Sequence, residues 1–457
     1  MNRFNKFYRK HYGRKKAIVV GAGLAGSLWA VYLAKEGYKV TIYERRPDIR
    51  QAEISAGKSI NLALSTRGWT ALKGAGIDKD VDELAIPMPG RIMHSLDGDL
   101  TYQPYGKDGE AIYSVSRGHL NAMMMDIAEK KGGATIHYNT KCIDADTKAG
   151  SVTLQKYGSE ETFQDSADVV FAADGAFSAV RYNAFQKQNR FDYMQDYIDD
   201  GYKELLLPAN EDGSYKIDKN ALHIWPRGRF MLIALPNEDG SFTCTLFMPF
   251  EGENSFESIK TDEDVKNFFK TTFPDFYDMM PNLVENWHEH PLSSLSIIRC
   301  KPWTMGKIAL IGDAAHATVP FYGQGMNGSF EDCFVMYNLM KKHNENWEEV
   351  FKEYELRKPD GDALQDLSVH NYHVMRDFVA DPKFLLQKKL EAKFSAAHPD
   401  KWMPLYSQVS FSNIPYSEAW NTGIKQDALM KKVMDKPNIE DVWDSKEIED
   451  EILSLIS

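Results

Sequence analysis

The clearest chemical spacing lies near the start of the chain: Gly21-Ala22-Gly23-Leu24-Ala25-Gly26, with Glu44 eighteen positions beyond the third glycine. Three glycines so placed suit a pyrophosphate. Gly21 permits a tight turn, Gly23 lets backbone approach the phosphates, and Gly26 lets helix and strand pack closely. The helix that starts there offers N–H donors and a positive dipole end. An acid at Glu44 would bind ribose hydroxyls and repel a 2′-phosphate, so the tightly held nucleotide is expected to be FAD or NAD rather than NADP.

Two further segments carry acids at strand ends: Ala173-Asp174-Gly175-Ala-Phe-Ser178-Ala-Val-Arg181 and Gly312-Asp313-Ala-Ala-His316. Shortly after the second comes Pro320-Phe321-Tyr322-Gly323-Gln324-Gly325-Met326-Asn327, a glycine-rich entry to a helix. Glycines there would let N–H groups reach an edge where negative charge develops in a reduced cofactor. His288-Glu289-His290 and His370 with His373 lack the H-E-x-x-H order, and neither is read as a metal site. The sequence holds no G-x-S-x-G elbow and no phosphate loop ending in Gly-Lys-Ser/Thr.

The elements that must position these residues are legible from apolar runs. Residues 17–20 read as a strand, 24–35 as a helix stopped at Gly37, and 39–43 as a second strand, a βαβ unit. Residues 167–173 and 307–311 read as further buried strands. An α/β, Rossmann-like FAD-type domain is therefore expected from residues 17–190 and 300–330, with substrate-domain segments near 85–115. Strand-like runs at 202–207, 221–225, 230–235 and 241–247, separated by turn signals, predict an antiparallel-sheet substrate domain over 191–299. Residues 331–457 read as a C-terminal helical region, with an exposed acidic helix after Pro437.

With 457 residues, the chain suits two or three domains of about 150 residues each. Apolar content of 43% and a net charge of −12 place it among soluble globular proteins and do not favour nucleic-acid partners. Four scattered cysteines, Cys142, Cys244, Cys300 and Cys333, form no C-x-x-C pair and predict reduced thiols in a cytoplasmic protein. No apolar run of 18 residues predicts a membrane span. Residues 1–16 form a basic arm with seven Lys or Arg, read as a solvated extension rather than a docking segment.

In this order, the three fingerprints resemble those of flavin-dependent aromatic hydroxylases. Ser59-Ile-Asn-Leu-Ala-Leu64, Pro89-Gly-Arg91, Gln103-Pro-Tyr105-Gly106, Tyr202-Lys-Glu-Leu205, Asn220-Ala-Leu-His-Ile-Trp-Pro226, Asn371-Tyr372 and Tyr406-Ser407 are similar to motifs of the kynurenine 3-monooxygenase family within that class. The resemblance implies an NADPH- and FAD-dependent monooxygenase, with tightly bound FAD, transient NADPH and O2. It would hydroxylate L-kynurenine at ring position 3 through a flavin C4a-hydroperoxide, in tryptophan breakdown. It implies cofactor contacts at Gly21, Gly23, Leu24, Ala25, Gly26, Glu44, Arg45, Leu62, Arg117, Asp174, Asp313, Gly325, Met326 and Asn327. Arg91 and Tyr105 would hold the substrate carboxylate, as a guanidinium grips a carboxylate bidentately. Asn371, Met375 and Tyr406 would come from the C-terminal helices, while Leu222, Met231, Ile233, Phe247, Pro320 and Phe321 would wall the aminophenyl ring.

No residue is assigned as acid or base, His316 is expected to pack rather than catalyse, and the role of Tyr322 stays open. Without the resemblance, Arg91 reads as a surface ion-pair partner, Asn371 as a solvated helix residue, and Leu222 or Phe247 as sheet core. Two rivals remain: a hydroxylase of another aromatic amino acid or anthranilate-like acid, and a non-catalytic binding protein on an FAD-type scaffold. Intact Asp174-Gly175 and Gly312-Asp313 argue against the second. Animal members of the family carry a C-terminal membrane anchor, whereas the stretch from Glu447 to Ser457 is too short and acidic to span. Monomer and homodimer both stay open.

Overall fold

The computed structural model describes residues 15–51, 61–106, 109–375 and 381–456. The basic arm before Lys15 and the Ser59-Ile60 part of one motif lie outside the described residues. The first sheet has six strands in the order Thr304–Met305, Ile308–Leu310, Val169–Ala172, Lys16–Val20, Lys39–Tyr43 and Thr135–His137. All neighbours are parallel except the antiparallel pair at the Thr304 edge. Val169 to Ala172 and Ile308 to Leu310 are buried throughout, which is why these strands read as unbroken apolar runs. Helices Leu24–Lys35 and Gly325–Lys342 pack together against this sheet, so the carboxyl ends of strands from distant segments converge on one crevice.

The second sheet has seven strands in the order Ser293–Lys301, Asp192–Leu207, Phe242–Pro249, Met231–Pro236, Ala221–Pro226, Gly90–His94 and Leu100–Pro104. One neighbour pair departs from the antiparallel expectation: Gly90–His94 runs parallel to Ala221–Pro226. More than a hundred residues separate the two strands, so no hairpin constrains their direction. Alternation along each strand gives this sheet two apolar faces. One is covered by helices Asp262–Thr272, Pro274–Met279 and Leu283–Glu289, around Trp225, Phe269, Phe273 and Trp287. These three helices lie inside the region read as sheet alone, and their short amphipathic turns follow strand-like flanks that masked them. The other face carries Ile224, Met231 and Phe247 toward Val319 and Phe321.

Helices Lys358–His373, Pro382–Ala397, Leu405–Ser410 and Tyr416–Met434 close the remaining side. Buried Arg67 ties them to the first domain: its Nη1 donates to Glu331 Oε1 at 2.7 Å, its Nε to the Val409 carbonyl at 3.0 Å, and its guanidinium lies 3.9 Å from the Tyr416 ring. The acidic tail is not a freely exposed helix. Lys446–Ile456 is amphipathic, and its Ile448 and Ile452 are buried against Met430, Val433 and Phe394.

Candidate active site

The strand Lys16–Val20 runs into Gly21, whose φ of +98° is open to glycine, and the following helix is capped at Gly23. A Cβ on Gly21 would lie 2.5 Å from the Ala173 carbonyl oxygen, and one on Gly26 would lie 2.0 Å from that of Gly21. A Cβ on Gly23 would meet nothing within 4 Å. Two of the three glycines therefore let protein pack on protein, while the middle one faces open space at a helix N-terminus, as a pyrophosphate requires.

Glu44, at the end of the second strand, accepts from the Ala22 N–H at 2.8 Å and from Arg46 N–H and Nε at 2.9 and 2.8 Å. A carboxylate has about four acceptor positions, so one on Oε2 is left for a ribose hydroxyl. Burial opposes its ionisation, but the Arg46 bonds and charge more than offset this and hold its pKa low.

Asp174 caps its own turn, accepting on Oδ2 from Ala179 and Val180 N–H at 2.7 and 3.2 Å; its Oδ1 is buried in the cavity wall with no hydrogen-bond partner among the described residues. Burial pushes this carboxyl up, against the pull of those hydrogen bonds. Arg181 bridges the motif segments, donating to the Ala314 and Ala176 carbonyls at 2.7 and 2.5 Å. Asp313 follows Gly312, at φ +61°, and lines the cavity with its pKa raised by burial. Behind it, Asp332 Oδ2 accepts from the Gly312 N–H at 3.0 Å and from His316 Nε2 at 2.6 Å. His316 thus packs and positions.

The cavity of about 560 Å³ continues beneath the second sheet, a volume within the ~300–1,000 Å³ of small-molecule sites. Arg91 enters from Gly90–His94, its Nε donating to Gln103 Oε1 at 2.9 Å, which leaves its two Nη groups for a ligand. Tyr105 stacks on Tyr406, with centroids 5.0 Å apart at 13°, and Tyr406 stacks on Tyr322 at 5.6 Å and 17°. Burial raises the pKa of all three phenols, so they remain protonated donors. Asn371 Nδ2 donates to the Phe321 carbonyl at 2.6 Å and to Met375 Sδ at 3.4 Å, so its Oδ1 is the group left to accept from a ligand.

One cavity wall collects Arg91, Tyr105, Leu222, Met231, Ile233, Phe247, Pro320, Phe321, Asn371, Met375 and Tyr406 together with Gly21, Gly23, Leu24, Ala25, Glu44, Arg45, Leu62, Arg117, Asp174, Asp313, Gly325 and Met326. Two expected residues stand outside it. Gly26 lies behind the loop it packs on. Asn327 is fully buried, donating to the Ala63 and Gly323 carbonyls at 2.8 Å and accepting from Ser65 N–H at 2.9 Å, so it braces the turn. Sequence reasoning missed Thr318, whose buried Oγ1 on the cavity wall has no hydrogen-bond partner among the described residues, and gave no site role to Tyr202 or Tyr322. Tyr202 sat in a quoted motif, and the alternation of its strand could have turned it inward; Thr318 carries no such signal.

Residues 14–355 match the family described as "FAD binding domain". A kynurenine 3-monooxygenase of Christiangramia forsetii is 50% identical over 444 residues, covering 97% of this chain and 99% of that protein. One of Flavobacterium psychrophilum is 50% identical over 445 residues, covering 97% and 99%. That of Dictyostelium discoideum is 42% identical over 446 residues, covering 94% and 95%. Among solved structures, a tetrameric form of 2-methyl-3-hydroxypyridine-5-carboxylic acid oxygenase matches with a TM-score of 0.65 at 21% identity, covering 81% of this chain and 94% of that one. A tetracycline destructase matches at 0.58 and 20%, covering 79% and 91%. Such identities speak to fold alone. Fold and site together define an FAD-dependent monooxygenase of the aromatic hydroxylase type. Within that class, the chain belongs to the kynurenine 3-monooxygenase family. Among the described residues, no helix is long and apolar enough to cross a membrane.

Proposed function

We propose that this protein binds L-kynurenine in the cavity beneath the second sheet and hydroxylates its ring at position 3, using FAD, NADPH and O2. The observation that carries the reading is one continuous cavity with a dinucleotide loop at one end and, at the other, a guanidinium and three stacked phenols beside an apolar slot. The residues suit FAD: the open face at Gly23, the spare Oε2 position on Glu44, and the unpartnered Asp174 Oδ1 each fit a nucleotide diphosphate with free hydroxyls. FAD, when bound, supplies hydride acceptance from NADPH and the activation of O2 for transfer of one oxygen atom.

The chain's own groups bind and orient. Arg91 Nη groups grip the amino-acid carboxylate, and Tyr105 donates to it. Asn371 Oδ1 accepts from a substrate N–H, with its orientation fixed by Phe321 and Met375. Leu222, Met231, Ile233, Phe247, Pro320 and Phe321 hold the ring and exclude water from the reacting face. An aniline nitrogen already activates its ring toward electrophiles, so positioning outweighs proton transfer. These roles accord with a division into an FAD-binding part at 17–190 with 300–330, carrying substrate segments near 85–115, a substrate domain at 191–299 and a helical region at 331–457, and the four buried, unpaired thiols suit the cytoplasm.

The test is NADPH oxidation by the FAD-loaded protein with and without L-kynurenine, tracking 3-hydroxykynurenine. Stimulation with matching product is expected. Bound FAD without stimulation overturns the substrate and sends the search to anthranilate-like acids.

A further inference from the structure

On the face of the second sheet turned away from the cavity, a buried chain of polar groups crosses two strands. His94 Nδ1 meets Asp275 Oδ2 at 2.8 Å, His94 Nε2 meets His223 Nδ1 at 2.8 Å, and His223 Nε2 meets the Asp218 carbonyl at 2.7 Å. His94 and His223 are 3% and 2% exposed. The hydrogens of this chain can be counted. A carbonyl only accepts, so His223 Nε2 carries a proton. Asp275 also accepts from the Trp225 indole at 2.8 and 3.0 Å and has its pKa held low: burial opposes ionisation, but the His94 and Trp225 bonds outweigh it. Its oxygen therefore accepts, and His94 Nδ1 carries a second proton. The N···N contact between the rings needs a third. Two neutral imidazoles hold only two, so a hydrogen bond between the rings requires one positive charge on the pair. Burial drives the His223 pKa down to about 4, and Asp275 is the carboxylate in contact with the pair.

The strands that this pair joins also carry the ligand-facing residues. Arg91 and His94 are three apart on one strand and point to opposite faces, as do adjacent Leu222 and His223 on the other, with Leu222 opposite Arg91 in register. Among the described residues, the outer side of Gly90–His94 pairs with the largely exposed edge strand Leu100–Pro104. Its inner attachment is reinforced by the imidazole contact and by Arg227, whose Nη1 donates to the His94 carbonyl at 3.0 Å.

We propose that His94 and His223 form a singly charged imidazole pair, neutralised by Asp275, that fixes the strand bearing Arg91 and so sets affinity for the carboxylate end of the substrate. These are positioning residues, and the second half of the proposal rests on the reading of Arg91 as the carboxylate anchor. Facing the pair are Asp275 from helix Pro274–Met279, Arg227 and Trp225 from the strand end, and Asp218 from the loop before Ala221. Loss of the third proton puts two lone pairs 2.8 Å apart and parts the rings. The kynurenine KM should then rise with pH while kcat at saturation changes little.

The experiment uses the FAD-loaded enzyme with ¹⁵N-labelled histidine. Long-range ¹H–¹⁵N spectra report how many nitrogens of each ring carry protons, with assignment by His94→Asn; KM and kcat are followed over the same pH range. The expected result is one ring protonated on both nitrogens, whose titration accompanies a severalfold rise in KM. In Asp275→Asn, the near-isosteric loss of the counter-charge should move both events to lower pH together. Should His94→Asn fail to fold, Asp275→Asn and the wild-type spectra suffice. Two singly protonated rings at the pH of lowest KM, or an unmoved KM profile in Asp275→Asn, overturns the proposal. Failure of the substrate reading would show separately, as no kynurenine turnover by wild-type enzyme, and two neutral rings would overturn the charged pair even then.

Discussion

Tyr406 lies parallel to Tyr105, with ring centroids 5.0 Å apart and planes 13° from one another. The opposite neighbour of Tyr406 is Tyr322, at 5.6 Å, so three rings form a ladder from the turn Pro320–Tyr322 to the Arg91 side of the cavity. Each aromatic pair contributes about 0.5–1.5 kcal/mol beyond its buried area, and ~1.4 kcal/mol is tenfold in affinity. Tyr406→Leu removes both contacts and is expected to raise the kynurenine KM about tenfold or more. Tyr322→Phe keeps the ladder and should change KM by less than about threefold. Steady-state kinetics with FAD-loaded protein measures both; equal effects of the two substitutions would refute the ladder.

Arg91 is anchored by Gln103 through Nε, so its remaining N–H groups are presented as a fork. Arg91→Lys replaces the fork by a point charge and is expected to raise KM by about ten- to a hundredfold, the worth of a hydrogen bond to a charged group, ~1.5–3 kcal/mol. The loss should vanish for a kynurenine analogue that lacks the carboxylate. Equal loss on that analogue would remove Arg91 from the carboxylate.

The glycines of the first loop separate packing from ligand approach. Gly26→Ala drives a methyl to within 2.0 Å of backbone at Gly21, which cannot yield as a side-chain tip could, so the protein should lose thermal stability even without flavin. Gly23→Ala meets open space, and its flavin-free melting temperature should match wild type while FAD affinity falls. Melting curves with and without added FAD decide this. A flavin-free Gly23→Ala protein that melts early would show that Gly23 serves the fold alone.

Much of this architecture was legible because its signals are local. The loop glycines and Glu44 sit within one βαβ unit, and the strands of the parallel sheet are short apolar runs, as burial on both faces requires. Less legible was whatever depends on partners far along the chain. Asn327 looked like a cofactor contact because it ends a glycine-rich motif, but its amide is spent on Ala63, Gly323 and Ser65. The parallel pairing of Gly90–His94 with Ala221–Pro226 has no turn to announce it. The acidic tail looked solvated because charge dominates its composition, while two isoleucines four apart supply its packed stripe. Arg67 and Asp332, which hold the site from behind, lie in helices whose sequence gives no sign that a charge is buried there.

Asp332 supports the last prediction. It is fully buried and accepts from the Gly312 N–H at 3.0 Å, His316 Nε2 at 2.6 Å and Arg357 Nε at 3.2 Å. Asp332→Asn leaves His316 without its counter-charge, while Arg357 keeps Glu331 at 3.0 Å, and is expected to cost about 3–5 kcal/mol, the range for breaking a buried pair. The pH dependence has a definite sign. Burial opposes ionisation of Asp332, but the His316 and Arg357 charges outweigh it and hold its pKa low. Its contribution is therefore present above the unfolded carboxyl value of about 3.9 and is lost as pH falls through the lower folded value. Burial likewise opposes the charge on His316, but Asp332 outweighs it and raises its pKa. That contribution is complete below the unfolded imidazole value of about 6.5 and is lost as pH rises through the higher folded value. The difference in stability between wild type and Asp332→Asn should thus be widest between about pH 4 and 6.5 and narrow on both sides. Melting temperatures measured from below about pH 4 to well above pH 6.5 test it, and a gap that stays constant over that whole span would place the stabilisation elsewhere.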